Sequence, residues 1–454
     1  ELPIAPIRNY ELSKNGNIIE YSRALRLVIL LYKPIFGCVS NLCLPYTPKS
    51  HDVAKIKSSA TSIILGPLIF TEMELFPQSI MNDMKPIYKL YPDHRTTATR
   101  LEAARFGKTI NSVIMENIDK ILQDKEILID EILFLYMQSE TPSSNETVVC
   151  YGDAVKNDKQ LNLAVNDLIL MPNTFSESNI RQLLKISMLR DMLRLKKSFD
   201  YLAGFIKKEI LELAKKRPAL SKNGILELVV RHKEFPNISV ESTNLGFIIF
   251  ILCSIKYIWP QISNVIVDIS LHERVYKNLL LEQKNLIKKY GNVFTRKILD
   301  RMKYLDAVLL ESMRLSGSGQ SLRMLEKDVY LSNGIKLKKS SLVKFSNFIY
   351  NNDYKVHGPN SYAFWPERFL LASQKFTESS KTNIVWGIGW KKCPYCDYAA
   401  LSLKLFISIF LRKYKIISDS SGPASQHQGY VFDESNFHSK SDLHVEISDI
   451  LHAL

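Results

Sequence analysis

The sequence predicts a mainly α protein with small β-sheets. Three observations predict it. Long stretches place apolar residues three and four apart, the period of a helix face. Strand signals are short and gather in the second half of the chain. The last helical stretch, near residue 400, is apolar nearly all round, which suits a helix inside a large protein.

The elements follow in chain order. "ALRLVILLYKPIFGCV" (24–39) carries Arg26 and Lys33 and reads as a helix running into a strand. "RQLLKISMLRDMLRLKKSFDYLAGFIKKEILELAKK" (181–216) has helical spacing and few breakers. "LGFIIFILCSI" (245–255) is the longest clean apolar run, and it stops at Lys256. It is too short to span a bilayer, which takes about 18 or more apolar residues, so it predicts a buried core helix. "RKILDRMKYLDAVLLESMRL" (296–315) predicts one helix ending before Gly317, with Leu305, Val308, Leu309 and Met313 on its apolar face. "DVYLSNGIKL" (328–337) alternates around Asn333-Gly334, a tight-hairpin signal. "SLVKFSNFIY" (341–350) predicts a further strand. "AALSLKLFISIFL" (399–411) is the last helix, with its N-terminus toward Cys393.

The totals set the class. The chain has 454 residues, 46% of them hydrophobic, enough for a large core. Net charge is +14, but the basic residues are scattered, as in "FIKKEILELAKKRPAL" (205–220). Such runs are solvated helix faces or docking surfaces for an acidic partner. No basic stripe interleaves with aromatics, which argues against nucleic acid as a partner. Six cysteines, at 38, 43, 150, 253, 393 and 396, make no disulfide framework and point to a reducing setting. The chain begins at Glu1, and the expectation is that a targeting or anchoring segment was removed upstream.

The stretch with most chemistry is "VWGIGWKKCPYCDYAALSLKLF" (385–406). Its Cys393 and Cys396 have Cys-x-x-Cys spacing. A redox dithiol would sit in a strand–helix pattern of the thioredoxin kind, which is missing here. A zinc site needs a second ligand pair, and the nearest downstream histidine is His427. Two buried, inert thiols are the bland reading. A haem thiolate explains more of the stretch. A helix N-terminus favours an ionised thiol. Gly387 and Gly389 let the backbone pass close to a flat ligand. Lys391 and Lys392 suit haem propionates.

These residues resemble a known family. "WGIGWKKCPYCDYAALSLKL" is similar to the cysteine loop and following helix of cytochrome P-450. In the family pattern Phe-x-x-Gly-x-x-x-Cys-x-Gly, Trp386 stands at the Phe position, Gly389 at the first Gly and Cys393 at the Cys. "YLDAVLLESMRL" (304–315) resembles the family's Glu-x-x-Arg helix through Glu311 and Arg314. "FWPERFL" (364–370) resembles the loop that adds a second arginine, Arg368. The order and spacing of the three motifs match, most like the fungal microsomal members. More weakly, "YKPIFGCVSNLCLPYTPKSHDVAKI" (32–56) resembles their first sheet. "HRTTATRLEAARFGKTI" (94–110) resembles a helix near the haem. "LRMLEKDVYLSNGIKLKKSSLV" (322–343) resembles the hairpin after the Glu-x-x-Arg helix, with Arg323 where the family binds a propionate.

Three departures stand out. Tyr395 replaces the glycine two residues after the cysteine. Cys396 replaces a basic residue. The acid-Thr-Thr positions of the central helix, whose hydroxyl helps deliver protons during oxygen activation, fall on Lys256, Tyr257 and Ile258. Pro260 follows and predicts a kink. "EST" (241–243) offers an acid and two alcohols but lies about four helical turns too early, and it reads as an N-cap region.

The resemblance implies one domain over 1–454 with the cytochrome P-450 fold and haem b as cofactor. Cys393 would be the metal ligand. Arg323, Lys391, Gly387 and Gly389 would bind the cofactor. Glu311, Arg314 and Arg368 would form a structural ion network; no catalytic side chain is assigned. It implies a monooxygenase acting on a small lipophilic substrate, a secondary metabolite, with dioxygen. Electrons would come from an NADPH-dependent flavoprotein reductase, since no flavin or nicotinamide motif is present. It implies the cytoplasmic face of the endoplasmic reticulum membrane, reached through the missing anchor. Three other readings stay open: a haem-binding isomerase or cyclase, a haem-free protein retaining the fold, and a thiol oxidoreductase using Cys393 and Cys396.

Overall fold

The computed structural model describes residues 55, 59–63, 107, 109–123, 125–126, 158–174, 185–215, 224–232, 240–317, 320–380, 382–388, 392–416, 430–433, 436–439 and 445–446. The reading of 24–39 lies outside these residues, as does nearly all of 32–56 and most of 94–110. The expectation of one domain over 1–454 therefore reaches beyond what is described.

Helices dominate. Helix α1 (Lys159–Thr174) packs along α2 (Lys185–Ala214), and α2 packs against α3 (Val240–Cys253). The contact faces are aliphatic: Leu161, Val165 and Leu168 of α1, and Leu202, Ile206 and Ile210 of α2, are all buried. Helix α3 buries Phe247, Ile248, Phe250 and Ile251, as the apolar run predicts.

The chain stays helical from 240 to 270 but changes its winding. A π-helical turn, Ser254–Ile258, separates α3 from α4 (Trp259–Ser270). Pro260 sits in the first turn of α4. It has no N–H for a bond four residues back, and its ring would crowd that carbonyl. The wider π turn relieves both problems. The kink predicted at Pro260 thus takes the form of a π turn just before it.

Helix α5 (Glu273–Tyr290) is amphipathic and ends at Gly291, whose φ of 80° suits glycine. The single helix predicted over 296–315 is two. A short turn, Arg296–Leu299, is followed by a break and then by α6 (Lys303–Ser316). The break has a visible cause. Glu282 of α5 accepts the N–H groups of Tyr304 (2.7 Å) and Leu305 (3.1 Å), capping a fresh helix start from outside.

A three-stranded antiparallel sheet follows, in the order β1 (Ala60–Ile63), β2 (Gln320–Leu325), then β5 (Leu342–Ser346). Its first strand comes from early in the chain, where none was predicted as such. The hairpin of β3 (Val329–Tyr330) and β4 (Lys336–Leu337) turns through Gly334 at φ 84°. The strand predicted over 341–350 stops at Ser346, and 347–351 is a short helix. Helix α7 (Glu367–Leu371) packs on α6.

The last long helix, α8 (Cys396–Lys413), packs against α4 and α5 and is buried along nearly its whole length. Its two buried cations are both hydrogen-bonded to neighbouring segments. Lys404 meets Asp306 of α6 at 2.7 Å, and Arg412 binds Gln283 (3.0 Å) and Asn292 (2.9 Å). Those pairings tie α8 to α5 and α6 and fix where its N-terminus points.

Candidate active site

The Glu-x-x-Arg spacing puts Glu311 and Arg314 on one face of α6. Arg314 grips Glu311 with two nitrogens, Nε at 2.8 Å and Nη2 at 2.9 Å. Both side chains are sealed from solvent. Arg314 also donates to the carbonyls of Asn351, Ser361 and Ala363. Arg368 reaches Glu311 Oε1 at 3.1 Å, and the Trp365 N–H reaches the same oxygen at 2.9 Å. Arg368 further binds the carbonyls of His357 and Asn360. All three members of the expected network therefore meet. They fasten the 351–368 segment onto α6. Burial, then the Arg314 and Arg368 charges, push His357 down to about 3, so it stays neutral beside them.

The cysteine loop is built on a different set of bonds. The Trp386 ring packs on buried Phe376 with centroids 5.2 Å apart, and its indole N–H donates to the Phe376 carbonyl at 2.7 Å. Gly387 turns the chain at φ 75°, a conformation that L side chains rarely adopt. The Cys393 N–H then returns to the Trp386 carbonyl at 2.8 Å. This closes a loop whose two feet are Trp386 and Cys393. Gly389 and Lys391 lie outside the described residues. Lys392 donates to the Thr377 carbonyl at 2.6 Å, so it is spent on the loop itself.

Cys393 is partly exposed and lies one turn ahead of α8. Cys393-Pro394-Tyr395-Cys396 forms a reverse turn, with the Cys396 N–H on the Cys393 carbonyl at 3.4 Å. Burial pushes the Cys393 thiol up to about 12. Tyr395 N–H and Lys392 act against that, while Cys396 and Cys253 add to it. A coordinating metal ion reverses this balance, because it deprotonates a bound thiol outright.

The central helix faces this loop. Phe250 meets the Tyr395 ring edge-on at 5.1 Å and the Tyr398 ring at 5.2 Å. Cys253 is near enough to both Cys393 and Tyr395 to raise their pKa values. Cys253 and Tyr257 are exposed, although Ile251, Ser254, Ile255 and Ile258 around them are buried. An open face of the helix thus lies near the cysteine turn. Glu241 to Thr243 sit within the first turn of α3, far from it in sequence.

Sequence reasoning missed the partner of Tyr395. A Cβ on Gly107 would lie 3.1 Å from Pro394 Cβ and 3.9 Å from the Tyr395 hydroxyl. The helical segment at 107 and 109–123 therefore abuts the turn, and a Cβ at 107 would need Pro394 to give by a few tenths of an ångström. A lone glycine within "AARFGKTI" was the available signal. Arg323 occupies the middle strand β2, opposite Ser62 and Val343. Among the described residues no group of three or more His, Cys, Asp or Glu side chains is arranged to hold a metal ion, so the zinc reading has no ligand set there.

Comparison with known proteins settles the family. The family model "Cytochrome P-450" matches residues 147–439, more than half of the chain. The chain belongs to the cytochrome P-450 family. Among solved structures, retinoic acid bound cyanobacterial CYP120A1 matches with a TM-score of 0.59 at 18% identity. That match covers 80% of this chain and 82% of the other, so the cytochrome P-450 fold is shared. Curated relatives include fungal enzymes. Cytochrome P-450 monooxygenase idtP of Claviceps paspali is 28% identical over 167 residues, covering 35% of this chain and 33% of the relative. Cytochrome P-450 monooxygenase ausG of Aspergillus calidoustus is 31% identical over 146 residues, covering 30% and 27%. Dideacetyl fusicoccin A C-19 hydroxylase of Phomopsis amygdali is 26% identical over 173 residues, covering 37% and 33%. The chain spans about a third of the length of these relatives.

Proposed function

We propose that this chain is a haem-thiolate monooxygenase that oxidises a small lipophilic substrate. The observation that carries the reading is Cys393 itself. It is partly exposed, its backbone is clamped to Trp386, it precedes a buried helix, and it lies near an open face of the central helix. These residues fit a haem held through one thiolate. Cys393 would be that ligand, Gly387 and Gly389 would allow close approach of the ring, and Arg323 and Lys391 would meet the propionates. An arginine fork suits a carboxylate. When bound, haem with a thiolate ligand supplies oxidative chemistry by pushing electron density that favours O–O cleavage.

The chain's own part is positional. The Glu311 network and the Trp386 clamp hold the loop. The Tyr395 N–H, just ahead of α8, favours negative charge on the sulfur. Phe250 packs against the Tyr395 ring and braces the turn from the central helix. Electrons would come from an NADPH-dependent flavoprotein reductase. The name of one relative, a dideacetyl fusicoccin A hydroxylase, supports a secondary metabolite as substrate. Among the described residues no helix is long and apolar enough to cross a membrane. Attachment to the endoplasmic reticulum would therefore use another segment.

A second reading has one specific observation behind it. Lys256, Tyr257 and Ile258 lie in the π turn, at the positions where the family resemblance implies an acid and threonines. That favours a haem isomerase or cyclase working without oxygen. Turnover with reductase, NADPH and isotopically labelled dioxygen separates the two. One labelled oxygen atom in the product supports the monooxygenase. Product formed without dioxygen or NADPH supports the isomerase and overturns the first reading.

A further inference from the structure

The hairpin of β3 and β4 has a small core of its own. Leu325, Val329, Leu331, Leu337 and Val343 are buried together as a cluster separate from the main core. Side chains alternate between the two faces of a strand. Val329 and its partner Leu337 therefore point into this cluster. Tyr330 and its partner Lys336, one residue along, occupy the opposite face and are exposed. The hairpin thus presents one whole face to solvent.

That face is basic around one aromatic ring. Tyr330 is 57% exposed, which leaves most of a large ring in water. The Lys336 ammonium lies 5.4 Å from the ring centroid. Lys55 comes in from early in the chain and donates to the Tyr330 carbonyl at 3.3 Å. The stretch 326–340 holds four lysines, at 327, 336, 338 and 339, against two acids, Glu326 and Asp328. All four lysines are exposed. Asp328 is already engaged, by the Lys336 ammonium at 2.8 Å and the Lys339 N–H at 2.8 Å. Among the described residues no carboxylate pairs with the Lys327, Lys338 or Lys339 side chains. Every cation on this face is a lysine. Protein–protein interfaces favour arginine and are depleted in lysine, because a guanidinium fork is pre-organised for a carboxylate. Lysines are flexible point charges and suit a diffuse anionic surface. An anionic bilayer is such a surface, and each lysine near it strengthens binding by about fivefold. Tyrosine suits the same boundary, with its ring among the headgroups and its hydroxyl in water.

We propose that the 326–340 hairpin docks with its Tyr330 face on an anionic lipid bilayer. Lys327, Lys338 and Lys339 meet the charged headgroups, and Tyr330 sits among them. Lys336 is shared between Asp328 and the ring and contributes less. A few lysines and one ring are a weak hold, since stable attachment takes two signals. The hairpin therefore sets how the chain lies on a surface rather than anchoring it. Cys393 and the haem take no part in this docking.

The test is co-sedimentation of the full chain with two kinds of vesicle, one of phosphatidylcholine alone and one of equal parts phosphatidylcholine and phosphatidylserine. Wild type should prefer the anionic vesicles, and salt should weaken that preference. The triple variant Lys327→Gln, Lys338→Gln, Lys339→Gln should lose at least about tenfold in binding to them. A matched variant removes three exposed lysines of α5, with Lys284→Gln, Lys288→Gln and Lys289→Gln. It carries the same net charge as the first and should lose much less. Both sets of lysines are exposed, so both variants should melt as wild type does. Tyr330→Trp gives a separate reading: its added fluorescence over wild type should be quenched by brominated lipid in the anionic vesicles. Equal binding of wild type to the two kinds of vesicle would overturn the docking. So would equal losses in the two triple variants, or a Trp at 330 that brominated lipid does not quench. Binding to soluble polyglutamate or single-stranded RNA that is as tight as to the vesicles, and lost in the hairpin variant, would assign the face to another class of partner and overturn it too.

Discussion

Glu311 and Arg314 are joined by two hydrogen bonds, at 2.8 and 2.9 Å, with neither side chain exposed to solvent. The same carboxylate takes Arg368 at 3.1 Å. Removing one member of a buried pair strands a charge and costs about 3–5 kcal/mol. Glu311→Ala should lose fold and haem together, because it strands two guanidinium groups. Thermal unfolding and haem content measured on the same preparation check this. A stable, haem-loaded variant would contradict it.

Glu282 gives a pH dependence. Burial pushes it up to about 7, against the two N–H bonds from Tyr304 and Leu305. Between about pH 4.5 and 7 the folded chain therefore holds a proton that the unfolded chain has lost. That stabilisation is fully present below the unfolded value and is lost as pH rises through about 7. A shift of this size corresponds to about 3 kcal/mol at most. Glu282→Gln should flatten the slope, gaining on wild type at pH 8 relative to pH 5. Melting curves at the two pH values decide it; an unchanged difference would show that the carboxylate is already ionised when folded.

Much of this arrangement was legible in the sequence, and the rest was not for identifiable reasons. The Glu311–Arg314 pair follows from local spacing, and Arg368 from the resemblance of its loop to the family's. The hairpin follows from Asn333-Gly334. The cap on α6 does not, because Glu282 reaches it from another helix, whereas local rules look for a cap at the helix's own start. Lys404 lay inside a run read as apolar, and its place is explained only by Asp306, far away in sequence. The approach of Gly107 to Pro394 is likewise set by packing between distant segments.

Trp386 stands where the resemblance places phenylalanine. Its ring fills space beside Phe376 and its N–H adds one bond. Trp386→Phe should keep the ring packing and lose about 1 kcal/mol, retaining haem. Trp386→Ala should lose about 3–5 kcal/mol and bind haem poorly. Equal haem retention in both variants would mean that the clamp does not hold the cysteine loop.

The π turn bears on proton delivery. Ile258 is part of the core, so a threonine there would disturb packing; Tyr257 is exposed and tolerates change. Wild type should consume more NADPH than it yields product, with hydrogen peroxide making up the difference. Tyr257→Thr should raise the product fraction. Near-equal NADPH and product in wild type would show that another group delivers the proton.

The central claim is that Cys393, not Cys396, binds the haem iron. The most direct measurement is the absorption spectrum of reduced protein treated with carbon monoxide, for wild type, Cys393→Ala and Cys396→Ala. The account predicts a thiolate-type band in wild type and Cys396→Ala, and its loss in Cys393→Ala. A band that survives in Cys393→Ala and vanishes in Cys396→Ala would contradict it.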